Sequence, residues 1–183
     1  MIAFRKPAAW FGWLSFFRHD GAFPPAKESP SPAGSPDRPV RYAVSACLCG
    51  KNCRYDGGSK PDESIKKFAA EHHALLICPE SFVFRGTHPP SEITAEGRVV
   101  NPLGEDLTEV FRQGAEKTLE RCLRAGITHA ILKERSPSCG VHQVYDGTFS
   151  GKTVTGQGVA ARLLQENEIQ IMSEDDFHEG RFF

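Results

Sequence analysis

Val40-Arg41-Tyr42-Ala43-Val44-Ser45-Ala46 is a short apolar, partly β-branched run that ends directly at Cys47, and it decides how the rest of the chain is read. Three later runs have the same character: Ala74-Leu75-Leu76-Ile77, Thr128-His129-Ala130-Ile131-Leu132 and Ile169-Gln170-Ile171-Met172. Helical patterns separate them. Asp62 is placed to cap a helix that runs to about His73, with Ile65, Phe68 and Ala69 on one face. Thr108 is an N-cap candidate for a helix whose Val110, Phe111, Ala115, Leu119, Cys122 and Leu123 keep helical spacing, and Gly126 supplies its stop. Gly158 to about Asn167 reads as a last helix, and a small hairpin is expected around Gly97 to Pro102. Strands that alternate with helices need right-handed crossovers. The pattern therefore predicts an α/β fold: a mostly parallel sheet flanked by helices, a Rossmann-like open sheet with its site at the strand carboxyl edge.

The 183 residues carry 22 Lys+Arg against 23 Asp+Glu, a net charge of −1. Such a balance offers no electrostatic footprint for a nucleic acid duplex and no polybasic membrane anchor. The longest apolar stretch, Ala8 to Phe17, falls short of the ~20 residues that cross a bilayer, so no membrane span is expected. Residues 1–39 read as a disordered Pro-rich tail with an aromatic N-terminal segment, because the prolines between Pro24 and Pro36 remove amide donors. Residues 40–183 read as a single α/β domain large enough to bury a core without disulfides. Six unevenly spaced cysteines are too few for a disulfide scaffold, which points to a reducing, cytoplasmic setting and thiols kept for chemistry.

Three of those cysteines occupy equivalent places. Cys47 follows the first strand, Cys78 ends the second, and Cys139 lies in Glu134-Arg135-Ser136-Pro137-Ser138-Cys139-Gly140 just past the third. Since the carboxyl ends of parallel strands share one edge, the three thiols are expected to converge there. Cys122, between Leu119 and Leu123 on an apolar helix face, is expected in the core. Three thiolates suit zinc with an open fourth position, or an iron-sulfur cluster with one iron left free. Cys49 and Cys53 offer extra ligands or a resolving thiol, and Cys139-x2-His142 has zinc-compatible spacing. A thiol redox protein or a zinc-binding module using Cys47, Cys49 and Cys53 is therefore an alternative to a cluster enzyme.

Polar groups lie close to the thiols in sequence. Glu80, two residues past Cys78, is either a general acid/base or a surface carboxylate after a turn proline. Ser136 and Ser138 are placed to hydrogen-bond a substrate or cluster sulfurs, with Ser138 the more ordinary loop serine. Lys133-Glu134 reads as an ion pair or as site residues. The repeated Tyr-Asp-Gly of 55–57 and 145–147 reads as an Asp-Gly turn, with Arg54 as an anion or carbonyl contact. Gly147 to Thr153 resembles a phosphate loop, but three residues separate its glycines where that loop has four, and no strand is expected ahead of it. Gly156-Gln157-Gly158-Val159-Ala160-Ala161 reads as a tight turn that brings a helix N-terminus near the site, with free amides to meet an anion or a polar ring edge.

Ser45-Ala46-Cys47-Leu48-Cys49-Gly50, Cys53-Arg54-Tyr55-Asp56-Gly57, Cys78-Pro79-Glu80, Pro89-Pro90-Ser91-Glu92, Leu132-Lys133-Glu134 with Ser136-Pro137-Ser138-Cys139-Gly140, and Tyr145-Asp146-Gly147-Thr148-Phe149-Ser150-Gly151 follow in an order and spacing that resemble the TudS-like thiouracil desulfurase family. The resemblance runs from about Tyr42 to Glu174. It implies a desulfidase carrying a 4Fe-4S cluster held by Cys47, Cys78 and Cys139, with the fourth iron taking the sulfur of a thiolated pyrimidine. The partner it implies is a small thiolated nucleobase or nucleotide. Glu80 matches the family's acid/base carboxylate and Ser136 its assisting serine. Two departures stand out: Ser81 to His88 is bulkier than the glycine- and proline-rich stretch usual there, and Cys49 replaces a common leucine.

Overall fold

The computed structural model describes residues 39–181, which lie within one compact unit. The expectations for residues 1–38 fall outside this range. Four strands, β1 (Tyr42–Ser45), β2 (Leu75–Ile77), β5 (His129–Leu132) and β8 (Gln170–Ser173), form one sheet in the order β2-β1-β5-β8. All three pairings are parallel, with Ala43 opposite both Leu75 and Ala130, and Ala130 opposite Ile171. Helices α1 (Glu63–Glu71), α2 (Thr108–Arg124) and α3 (Val159–Glu166) lie in the crossovers. The predicted α/β architecture is the observed one.

Because successive strand residues face opposite sides, one run of sequence feeds two cores. Ala43, Ala130 and Leu132 join Cys122 of α2 and Ala161 and Leu164 of α3 on one face. Val44 and Ile131 join Ile65 and Ala69 of α1 on the other. With both faces covered, the strands read as continuous apolar runs rather than as alternating ones, and the sheet edge at the strand ends is left as the exposed concavity. Among the described residues, no helix is long and apolar enough to cross a membrane.

Helix starts are set by side chains. Asp62 caps α1 by accepting from the Ile65 amide at 3.0 Å. At α2 the expected cap moves: Leu107 holds the cap position, Asp106 accepts from the Thr108 amide at 2.9 Å, and the Thr108 hydroxyl accepts from the Val99 amide at 3.0 Å. Thr108 thus joins the helix to β4 (Val99–Val100), which pairs antiparallel with β3 (Glu92–Ile93) as the anticipated small hairpin. A second hairpin, β6 (Gln143–Tyr145) with β7 (Thr153–Thr155), was not anticipated, and β6 does lead into Gly147. Nor is α3 the last helix. The five-residue α4 (Glu174–His178) follows β8, held by a capping box between Ser173 and Asp176; it is too short to show apolar periodicity.

Candidate active site

Three strand ends turn sharply where the sheet stops. After β1 the chain makes a 3-10 turn over Ala46–Cys49, closed by Gly50 at φ +82°. The Cys47 carbonyl is fastened by the amides of Gly50 and Lys60 at 3.2 and 3.0 Å. After β2, Cys78 and Pro79 lead into a second 3-10 turn, Glu80–Phe82, and the Cys78 carbonyl accepts from both the amide and the hydroxyl of Ser81. Gly114 in α2 allows this turn to dock: a Cβ there would meet the Pro79 carbonyl oxygen at 2.6 Å. After β5 comes the loop bearing Ser136, Ser138 and Cys139.

These turns wall a cavity of about 670 Å³. Cys47, Cys78, Cys139, Glu80 and Ser136 all line it, and so does Cys53. Cys49 packs instead against the Val44–Ile131 core, and Cys122 is fully buried in the other core as expected. His142 pairs with Asp176 at 2.7 Å, so the Cys139-x2-His142 spacing does not deliver a shared site. Among the described residues, no three His, Cys, Asp or Glu side chains close around a single ion.

The thiols act on one another. Cys78 Sγ donates to the Cys53 carbonyl at 3.3 Å. The neighbouring Cys53 thiol favours the thiolates of Cys47 and Cys78 and is the main reason each is more acidic than an ordinary thiol, Cys78 falling to about 7. The same neighbours push Cys53 up. Lys133 and Arg54 add positive potential at Cys47, while burial pushes Cys139 up.

Glu80 presents its carboxylate between two loops. Oε1 accepts from the Ser138 hydroxyl at 2.8 Å, and Oε2 lies 3.3 Å from His88 Nε2. Burial opposes charge on His88, but its bonds to Glu80 and to the Pro89 carbonyl outweigh this and raise its pKa. Ser138 therefore has a defined contact at the site. Ser136 Oγ accepts from the amides of Ser138 and Cys139, both at 3.1 Å, which leaves its proton free to be donated elsewhere.

Glu134 also borders the cavity but is spoken for. Its carboxylate accepts from the amides of Val141, His142 and Gln143 at 3.2, 3.1 and 2.6 Å. Lys133 does not pair with its neighbour's carboxylate as the sequence suggested; its ammonium bonds Glu174 and the Glu134 carbonyl, and Glu174 also accepts from the Glu134 amide at 2.6 Å. The α3 N-terminus is likewise occupied. Val159 donates to the Pro137 carbonyl, and Ala160 and Ala161 donate to the Ser138 carbonyl, so the amides expected to be free for an anion instead anchor the cysteine loop. Gly158 permits that approach, since a Cβ there would sit 2.4 Å from the Ser138 carbonyl carbon.

Both Tyr-Asp-Gly elements are turns, with Gly57 and Gly147 at positive φ. Asp56 accepts from the Gly58 amide and pairs with Arg54 at 3.2 Å. Glu92 Oε2 accepts from the amides of Gly147 and Phe149 at 3.0 and 2.9 Å, fixing the loop that brings Tyr145 and Phe149 to the cavity. The sequence reading met Glu92 only within the Pro89-Pro90-Ser91-Glu92 motif and His88 only at the end of the bulky stretch from Ser81, and assigned neither a partner, because a basic or acidic residue beside two prolines implies none by its type.

Residues 42–176 match the family model described as 2-thiouracil desulfurase. The chain is 40% identical over 146 residues to the uncharacterized protein YbbK of Bacillus subtilis (strain 168), covering 74% of this chain and 97% of that one. It superposes on a solved [4Fe-4S]-dependent thiouracil desulfidase, TudS, with a TM-score of 0.71 and 42% identity over 77% of this chain and 95% of that one. On the extent of these matches, the chain belongs to the 2-thiouracil desulfurase family.

Proposed function

We propose that residues 40–183 form a [4Fe-4S]-dependent desulfidase that removes sulfur from a thiolated pyrimidine, thiouracil or a close nucleobase or nucleotide relative, by hydrolytic C–S cleavage. The observation that carries this reading is that Cys47, Cys78 and Cys139, delivered by three different strand ends, border the same cavity as Glu80 and Ser136. The donor set fits the cluster. Thiolates are the soft ligands iron-sulfur centres take. The three thiols border one cavity and act on one another, Cys47 and Cys78 both opposing ionisation of Cys139, as thiols gathered on one cluster would. Lys133 and Arg54 offset their negative charge.

Cys47, Cys78 and Cys139 would hold the cluster, whose uncoordinated iron supplies a Lewis acid for the thione sulfur. The remaining work falls to side chains. Ile77, Pro102 and Phe111 give the cavity apolar walls for a heterocycle. Glu80, held by Ser138 with its carboxylate at the cavity, takes a proton from the attacking water as the C–O bond forms. Ser136 donates a hydrogen bond from its hydroxyl to the ring as negative charge develops there, keeping its proton. The C–S bond then breaks, its electron pair leaving with the sulfur, which takes up the proton held by Glu80 and so restores the carboxylate; the second proton of the water departs from the new hydroxyl as the oxo product forms, and since water supplies the oxygen, no net oxidation or reduction takes place. The six free cysteines suit a reducing cytoplasm.

Anaerobic reconstitution tests the reading. A brown protein with about four irons per chain that converts 2-thiouracil to uracil and sulfide is expected. A colourless protein holding one zinc overturns it in favour of a zinc-binding module, and a Cys47–Cys53 disulfide with no desulfuration overturns it in favour of a thiol redox protein, for which the presence of Cys53 beside Cys47 at the cavity is the specific support.

A further inference from the structure

The acid/base carboxylate of the proposed reaction is held from two sides, and only one of the holders belongs to a motif loop. The other, His88, is itself immobilised. Its amide donates to the Tyr55 carbonyl at 3.0 Å, and its ring stacks on Phe84 with centroids 3.8 Å apart and 19° between planes. Phe84 in turn packs edge-on against Phe111 of α2 at 5.8 Å. The imidazole side chain is 9% exposed and that of Glu80 14%. His88 Nδ1 lies 2.9 Å from the Pro89 carbonyl oxygen. A carbonyl oxygen only accepts, so Nδ1 carries a proton. Nε2 is then the one ring nitrogen left, and it faces Glu80 Oε2 at 3.3 Å. A carboxylate oxygen only accepts too, so the ring meets both partners as an imidazolium with an N–H on each side.

A glutamate's terminal torsion is broad, so a single hydroxyl on one oxygen leaves the carboxylate plane free to swing. With Ser138 on Oε1 and a stacked, tethered imidazole beside Oε2, that rotation is blocked from opposite ends. We infer that His88 is a positioning residue for Glu80: through its locked Nε2 it holds the carboxylate in the orientation that meets the attacking water. The inference rests on the desulfidase reading and adds to it a cavity-lining residue whose loss misaligns the base.

The test compares reconstituted wild type, His88→Leu and His88→Gln, the last retaining a side-chain donor. Expected are iron content and visible spectrum equal to wild type in both variants, a KM within about twofold, and a kcat lowered about 10- to 100-fold in His88→Leu and largely restored in His88→Gln. A wild-type kcat in His88→Leu overturns the inference, as does a loss that His88→Gln shares in full or that falls equally on KM and iron content. A second readout does not need turnover: imidazole ¹⁵N spectra of the full chain should show the His88 Nε2 resonance displaced by Glu80→Gln. An unmoved resonance overturns the inference. Absence of desulfuration by wild type removes the functional reading alone, and the ¹⁵N result then decides whether His88 holds Glu80.

Discussion

Two carboxylates border the same cavity and are held in opposite ways. Glu134, on the loop after β5, gives its oxygens to three backbone amides and is buried. Glu80, on the turn after β2, has a hydroxyl on one oxygen and an imidazole near the other. A carboxylate saturated by backbone donors is a fastener, because taking up a proton would orphan amides that have no other partner. One held by side chains that can themselves exchange protons is free for acid/base work. On the proposed mechanism, what separates structure from chemistry here is the kind of partner, not the residue type.

The comparison is broken most directly by exchanging losses. Glu80→Gln should lower desulfuration about 10²- to 10⁴-fold while the unfolding free energy from urea titration stays within about 0.5 kcal/mol of wild type; full-rate turnover by this variant removes Glu80 from the mechanism. Glu134→Ala should do the reverse, costing about 3 kcal/mol of stability as the amides of Val141, His142 and Gln143 lose their acceptor. Iron retention should fall with it, because the same loop presents Cys139. A Glu134→Ala protein as stable as wild type would show that water substitutes for the carboxylate and that the contrast is false.

A third carboxylate sharpens the point. Asp176 is buried, which opposes its charge, yet hydrogen bonds from the Ser173 amide, His142 and the Ser173 hydroxyl outweigh burial and hold its pKa below the usual Asp range. A depressed folded pKa contributes stability above the unfolded value and loses it as pH falls through the folded one. Acidification below about pH 4 should therefore remove about 1–2 kcal/mol from wild type, the scale of a lost helix cap. Chemical denaturation at stepped pH should show that increment missing in Asp176→Asn.

The smallest effect separates two cysteines. Cys122→Ala, in the core, should cost about 1 kcal/mol and leave iron content unchanged, whereas Cys139→Ala should abolish cluster retention. Iron analysis beside thermal melts checks both.

Much of this was legible in one dimension. Apolar runs located the four strands of the sheet because burial on both faces makes such runs continuous. Cys47, Cys78 and Cys139 follow from strand ends alone, and the Tyr-Asp-Gly turns from Asp-Gly chemistry. Thr108 was displaced from its cap by a hydrogen bond to Val99, nine residues away. The α3 amides were claimed by the Ser136–Cys139 loop, and Lys133 chose Glu174, 41 residues on, over its neighbour. Each of these is a competition between partners that no local pattern ranks.

The sequence by itself determined an α/β chain with three thiol-bearing turns on one edge, since strand direction and crossover handedness are dictated by the local backbone. Only the tertiary structure decided which polar groups around those turns are spent on holding the fold and which stay available. The bond between Glu80 and Ser138 spans 58 residues, and the partner that satisfies a buried polar atom is whichever group the packing brings within reach.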